Sequence, residues 1–355
     1  MFNHSRFLMV RLSSIGDVLH ATTVAHNLKQ AYPECHITWI VSRTAAELLH
    51  DNPDIDVLFV WSREDFEKAL HARQFLKAWS CISLLRDFFA KQHFDIALDV
   101  HGLFMTGVIT RLSKAPRRIG MAGTRELNRF FMTELAAPAA SPHMIKRYLS
   151  VLTALGIKNN EYQLLLKLPA ELSDFSAKFQ LAHGIGCEQK LLMVTPWTSW
   201  KSKNWGIDNF AACLNELPAD VQILLCGGPG DRENNKRICQ AVSRPLIDAT
   251  GQTSLLELAA LMAKADLLLT GDTGALHIAT ALTVPTLSLW GPTHPEKYGP
   301  LVPGHVFLCA TGECTNCNKT KCRLQTNACM NSLLPQQVAN KTMELLRKNK
   351  EKAPR

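Results

Sequence analysis

No uninterrupted apolar run in the 355 residues approaches the roughly 18 that a membrane-spanning helix needs. The N-terminus, MFNHSRFLMVRLSS, also lacks a secretory signal: its apolar run is short, and Arg11 stands where a cleavage site belongs. A cytoplasmic protein is therefore expected. No short-period repeat or low-complexity tract occurs. Charged residues make up 20% of the chain and hydrophobic ones 46%, ordinary values for a globular protein. A single core is disfavoured by length, since one domain usually holds roughly 100–200 residues; two domains are expected.

Cysteine, by contrast, is plentiful. Six of the eleven are scattered: Cys35, Cys81, Cys187, Cys213, Cys226 and Cys239. In an unexported chain these read as reduced, small apolar residues. Charge is abundant in one place. Between residues 111 and 147 lie eight basic residues (Arg111, Lys114, Arg117, Arg118, Arg125, Arg129, Lys146, Arg147) and two acids, Glu126 and Glu134, so this stretch holds +6 of the formal +8. Such asymmetry points to an anionic partner, whether nucleic acid, membrane surface or acidic ligand.

Short apolar runs alternate with helical spacing. Residues 7–12, 36–41, 57–60 and 96–100 read as strands; Ile15, Leu19, Thr22, Ala25 and Leu28 recur at helical intervals after the first. A long mixed segment, 64–92, precedes the fourth. The pattern restarts with strands at 191–195, 221–226, 266–270 and 286–289, and ends in an amphipathic run after Pro335, a residue suited to a first helical turn. Strand–helix alternation predicts α/β units with parallel sheets, and the boundary falls near residue 170. In such sheets ligands bind beyond the carboxyl ends of the strands.

Four of those turns hold chemistry. Ser13-Ser14-Ile15-Gly16-Asp17 follows the first strand. Asp17 reads either as a helix cap or as a carboxylate able to take a proton from an attacking hydroxyl. Thr270-Gly271-Asp272-Thr273-Gly274-Ala275-Leu276-His277 links a strand to a helix whose N-terminal N–H groups suit an anion. Thr273 can donate to phosphate. Asp272 would repel phosphate, so it binds a sugar hydroxyl or orients the loop. His277, one turn into the helix, is alternatively a structural hydrogen-bonder. TPWTSWKSKNW, residues 195–205, offers two lysines for a diphosphate, and its tryptophans read as cover for a domain edge. Cys226-Gly227-Gly228-Pro229-Gly230-Asp231-Arg232-Glu233 lacks GxGxxG spacing, so a dinucleotide fingerprint is not supported. Its Asp231 or Glu233 suits ribose hydroxyls, or simply an acidic helix start.

Taken in order, SSIGDVLHATT, TPWTSWKSKNW, GGPGDRE and GDTGALHIATAL with LSLWGPTHP resemble the ADP-heptose:lipopolysaccharide heptosyltransferase family over nearly the whole chain. DVHGLFMTGVITRL and RIGMAGTREL look most like the branch that adds the first heptose. The resemblance implies an inverting enzyme of GT-B architecture, two Rossmann-like domains with parallel sheets facing a central cleft. Residues 1–170 would form the acceptor-side domain and 171–334 the nucleotide-sugar domain. A C-terminal helix in 335–355 would pack back on the first. It makes Asp17 the catalytic base. Ser14, Gly16 and Arg125 fall on the acceptor side. Lys203 falls at the donor phosphates with Thr198 and Ser199 beside it, Glu233 at the ribose, and Asp272, Thr273, Gly274 and His277 in the second donor loop. The implied partners are ADP-heptose, Kdo–lipid A or a related anionic glycolipid, and the anionic inner face of the inner membrane. No nucleic acid and no cofactor are expected, because a lysine and a helix N-terminus can stabilise the leaving diphosphate.

The chain departs from that branch in a cysteine cluster. Cys309, Cys314, Cys317, Cys322 and Cys329 fall within 21 residues. Cys314, Cys317, Cys322 and Cys329 are able to bind zinc as a closed structural site; packing cysteines or a labile disulfide are the alternatives. Three functional alternatives stand beside the leading one: another nucleotide-sugar transferase, a nucleotide-sugar 2-epimerase on the same scaffold, or nucleic-acid binding through residues 111–147. The last lacks a recognition motif and has few aromatics interleaved with the charge.

Overall fold

Most of the apolar runs form strands covered on both faces, the environment in which parallel strands read as continuous Val, Ile and Leu; the run 57–60 is half-buried. The structure, a computed structural model, describes residues 2–158, 160–186, 188–312 and 314–348. Cys187 and residues 349–355 thus lie outside the described residues. The chain divides into two units, Met1–Lys167 and Leu168–Arg355.

In the first unit, β1 (Arg6–Val10), β2 (His36–Val41), β3 (Val57–Val60), β4 (Ile96–Asp99), β5 (Arg117–Gly120) and β6 (Glu134–Leu135) form one sheet in the order β3-β2-β1-β4-β5-β6. Every adjacent pair is parallel. The mixed segment 64–92 resolves into two helices, Arg63–His71 and Phe75–Ala90. The second bears Phe88, whose ring stacks on Phe59 of β3 at 3.9 Å between centroids.

The second unit repeats the plan. Its strands are β7 (Lys190–Thr195), β8 (Val221–Leu225), β9 (Ile247–Asp248), β10 (Leu267–Gly271), β11 (Thr286–Trp290) and β12 (His305–Cys309), in the order β12-β11-β10-β7-β8-β9. Read from its own first strand, this is the same order as in the first unit, and again every pair is parallel. The strand order reverses between β1 and β4 and between β7 and β10. Loops leaving the carboxyl ends at such reversals are where ligands bind in doubly wound sheets, and they carry Asp17, Lys203 and Asp272.

Trp205 anchors the second core. It is 2% exposed, meets Phe210 edge-on at 4.9 Å between centroids, and donates its indole N–H to the Leu333 carbonyl at 2.9 Å. Trp205→Phe keeps an aromatic ring but orphans that carbonyl, so a loss of about 1–3 kcal/mol is expected, read as a lower denaturant midpoint for the second unit.

The bond to Leu333 also fixes where the chain enters its last helix, Pro335–Lys348. Val338, Ala339, Thr342 and Leu346 are buried there, spaced along one face at helical intervals. Val338, Ala339 and Leu346 join Leu214 and Leu269 in the second unit's core. The buried face expected to pack back on the first unit therefore packs within the second.

Candidate active site

In the first unit, β1 delivers Arg11 and the turn to helix Ile15–Ala31 delivers Asp17 in its first turn. The Ser14 hydroxyl donates to Asp17 Oδ2 at 2.9 Å, and the Ser14 N–H reaches the same oxygen at 3.5 Å. Asp17 thus does serve its helix N-terminus. It does more. Arg11 Nη2 lies 2.7 Å from Oδ2, and Tyr148, on helix Met144–Thr153, donates to Oδ1 at 2.6 Å. Arg11 is itself fixed by a 2.9 Å bond to the Val100 carbonyl and by the Tyr148 ring, 5.0 Å from its guanidinium carbon.

Burial raises the Asp17 pKa, but Arg11, Tyr148, His20 and Ser14 outweigh it and hold the carboxyl well below the usual carboxylate range. Asp17 is an anion at any physiological pH. Its side chain keeps 29% exposure. A carboxylate oxygen accepts about two hydrogen bonds. Oδ2 holds Arg11 and Ser14, and Oδ1 accepts from Tyr148.

His101 follows β4. Its Nδ1 accepts the Leu12 N–H at 3.2 Å, which puts the ring proton on Nε2. Burial, with Arg11 and Arg63 nearby, pushes its pKa down to about 3, so the ring is neutral. Asp99, fully buried, accepts from the His101 and Gly102 amides at 2.9 Å each and from Asn128 Nδ2 at 2.7 Å. Those bonds tie the β4 loop to the turn bearing Arg125.

Arg125 is exposed, and among the described residues nothing pairs with its guanidinium. Two of its basic neighbours are committed to the fold. Arg117 pairs with Glu134 at 2.9 Å, and Arg118 bonds the Phe131 and Ala115 carbonyls at 2.8 and 2.7 Å. Arg111, Lys114, Arg125 and Arg129 are exposed, beside Leu127 and Phe130, which are 64% and 67% exposed.

In the second unit, the loop after β7 and the loop after β10 meet. Lys203 Nζ lies 2.7 Å from Asp272 Oδ2, with side-chain exposures of 11% and 8%, and 4.1 Å from the centre of the Trp200 ring. Thr293 donates to the same Asp272 oxygen at 2.8 Å. Asp272 therefore orients Lys203 and its loop, one of its two expected roles. Gly271 permits the approach: a Cβ there would sit 3.1 Å from Thr198 Cγ2. Thr198 is locked by Asn204 and by the Trp200 carbonyl at 2.8 Å, and Ser199 is exposed beside it. Thr273 caps helix Gly274–Ala281 by position, without using its hydroxyl on the helix. The Gly274 and Ala275 N–H groups precede the helix's own hydrogen bonding and suit an anion.

His277 is buried near His305 of β12, whose pKa falls to about 4 through burial and through His277. Asp231 and Glu233 separate: Asp231 accepts the Gly228 N–H at 2.9 Å, whereas Glu233 is exposed in the first turn of helix Arg232–Ala241. Trp197 donates to the buried Asn235 at 2.5 Å, so the three tryptophans of this segment do three different things rather than cover one edge.

Of the scattered cysteines described, Cys35, Cys213 and Cys226 are buried as packing residues; burial pushes Cys35 up to about 11 and Cys213 up to about 12. No three His, Cys, Asp or Glu side chains among the described residues are already gathered to hold a metal ion.

The model of glycosyltransferase family 9 (heptosyltransferase) matches residues 82–328. The chain is similar to the lipopolysaccharide core heptosyltransferase OpsX of Haemophilus influenzae, 26% identical over 82% of this chain and 80% of that one. A family 9 glycosyltransferase from Veillonella parvula superposes with a TM-score of 0.86 at 24% identity, covering 98% and 99% of the two chains. The Escherichia coli heptosyltransferase WaaC, solved with ADP-2-deoxy-2-fluoro heptose, superposes with a TM-score of 0.72 at 20% identity, covering 96% and 99%. The chain belongs to glycosyltransferase family 9 (heptosyltransferase), and its two Rossmann-like units are of GT-B type.

Proposed function

We propose that this glycosyltransferase moves heptose from ADP-heptose to the Kdo region of the lipopolysaccharide inner core, with inversion. The observation that carries the reading is the Asp17 carboxylate itself, held ionised by Arg11 and still 29% exposed at the carboxyl end of β1. An acceptor hydroxyl donating there loses its proton to Asp17 as its oxygen bonds the anomeric carbon. The bond from that carbon to the β-phosphate oxygen breaks on the opposite face, ADP departs and the configuration inverts. Lys203 and the Gly274 and Ala275 amides stand where a diphosphate's charge would be met. Glu233, exposed and without an ion-pair partner among the described residues, suits the ribose. The WaaC structure with an ADP-heptose analogue supports the donor class. Mass spectrometry of the product from ADP-heptose and truncated Kdo–lipid A, with the anomeric configuration read by NMR, tests it. Transfer only from another nucleotide sugar would replace the donor.

The acceptor is a lipid, and the surface fits one. Among the described residues no helix is long and apolar enough to cross a membrane, but Arg111, Lys114, Arg125 and Arg129 stand exposed beside Leu127 and Phe130. Each basic residue near an anionic leaflet contributes about 1 kcal/mol, and salt screens it. Cosedimentation with vesicles containing anionic lipid is expected at low salt and lost at about 1 M, where the screening length is about 3 Å. Binding that is insensitive to both salt and lipid charge would overturn peripheral attachment through this surface.

Arg125→Ala is expected to raise the acceptor KM about fivefold, the scale of one exposed ion pair, and to leave that for ADP-heptose unchanged. A rise in donor KM instead would mean the acceptor side is misassigned.

A further inference from the structure

Between β12 and the last helix runs a segment whose only regular element, among the described residues, is the short helix Ala328–Asn331. Cys314, Cys317, Cys322 and Cys329, from along this segment, line a single cavity of about 450 Å³ together with Lys319 and Arg323. Cys309, the fifth of the cluster, does not line it. Packing does not account for Cys314 and Cys317, which are exposed, whereas Cys322 is half-buried and Cys329 is buried at the edge of the second unit's core. No disulfide joins any pair among the described residues. Four thiolates around a divalent ion carry a net charge of −2, and Lys319 and Arg323 on the same wall supply the compensating +2.

The segment also braces the donor loops. Ser202, which lines the cavity, donates its hydroxyl to the Lys319 carbonyl at 2.6 Å and its N–H to the Thr320 carbonyl at 3.4 Å. Asn327 bonds the Lys201 carbonyl at 3.3 Å. The Asn316 and Asn318 amides bond the carbonyls of Gly291 and Pro292 at 2.9 and 2.8 Å. Lys203 and Thr293, the two partners of Asp272, are each one residue from these attachments.

We propose that Cys314, Cys317, Cys322 and Cys329 form a tetrathiolate site for one thiophilic divalent metal ion, zinc or ferrous iron, which locks this segment against the loops of Lys203 and Thr293. The thiols surround the cavity without closing to ligating distance, as expected where binding and local folding are coupled. Binding releases the thiol protons and changes no oxidation state. Four thiolates fill the coordination sphere, so the ion is structural. The metal site stands independently of the donor assignment; only the bracing of Lys203 rests on the function proposed above.

The test is elemental analysis of the full chain, purified without a metal-charged resin. One zinc or one iron per chain is expected, and the element found decides between them. Cys314→Ser with Cys317→Ser should retain less than a tenth of that metal, whereas Cys239→Ser should retain all of it. Should the double variant fail to fold, the wild-type chain still decides. Its thiol count with Ellman's reagent should rise by four on stripping with a chelator, and added cobalt should develop thiolate-to-cobalt absorption. Neither zinc nor iron, no cobalt band and no chelator-dependent thiols would overturn the site. Full metal retention by the double variant would overturn its ligands. ADP affinity is expected to fall several-fold on metal removal; metal present but ADP affinity unchanged by its loss would overturn the bracing and leave the site standing.

Discussion

Asp17→Ala is expected to lower kcat by at least about a hundredfold, the low end for a general base, while ADP affinity changes little. Two roles share this residue. As a helix cap it serves Ser14 and the helix start, and losing that costs about 1 kcal/mol of stability. As a base it must present an oxygen to the acceptor hydroxyl. Asp17→Asn separates them, since the amide keeps the shape and one acceptor but cannot take up the proton. Near-wild-type turnover by a folded Asp17→Asn or Asp17→Ala protein would leave only the cap. The pH profile gives a second readout. The base acts in its deprotonated form, and its pKa lies well below the usual value. The kcat/KM of wild type should therefore show no acid limb from Asp17 down to at least about pH 4, near the ordinary carboxylate value. Arg11→Met removes the largest favourable influence on the anion, so the pKa rises and an acid limb should enter the accessible range. The same sign holds for stability. A depressed folded-state pKa contributes stability above the ordinary carboxylate value, and that stability is lost as pH falls toward the depressed one.

Strands made of continuous apolar runs were legible, at the sheet edge as well as its centre: β2 and β3 begin and end where the spacing predicts. Strands that are polar or very short were not. β5 reads Arg-Arg-Ile-Gly, and β6 and β9 are two residues each, too polar or too brief to show a period. The same division runs through the site. Asp17, Lys203 and Asp272 lie in strand-end turns, where ligands are expected. Their partners are distant: Tyr148 reaches Asp17 across 131 residues, and no local pattern announces that contact. Arg11 did carry a signal. A charge ending an apolar strand must be paired or solvated, and here the pair is Asp17. His101 and Thr293 sit inside the family-like segments but, as single hydrogen-bonding residues, have nothing local to mark them. The last helix showed its apolar face but not its partner, because a face fixes what is buried and not against what.

Lys203→Ala is expected to weaken ADP binding about 10- to 150-fold, the equivalent of one charge-assisted hydrogen bond at roughly 1.5–3 kcal/mol. The geometry explains why the lysine can serve two partners. An ammonium has three donors; one is engaged by Asp272 Oδ2 and another reaches the Asp272 carbonyl at 3.5 Å, leaving a third for a phosphate oxygen. Lys201 is exposed and makes no such ion pair among the described residues, so Lys201→Ala should lose much less, and equal losses in calorimetry would contradict the assignment. Stability complicates the reading, and usefully. Removing the lysine leaves Asp272, 8% exposed, with the Thr293 hydroxyl but no countercharge on its Oδ2, and breaking a buried pair from one side typically costs about 3–5 kcal/mol. Adding Asp272→Asn to a Lys203→Met background removes the stranded charge. The double variant should recover most of the lost denaturant midpoint while its ADP affinity stays low. If affinity returned together with stability, Lys203 would be a positioning residue for the loop, and the diphosphate would be held by the helix N-terminus at Gly274 alone.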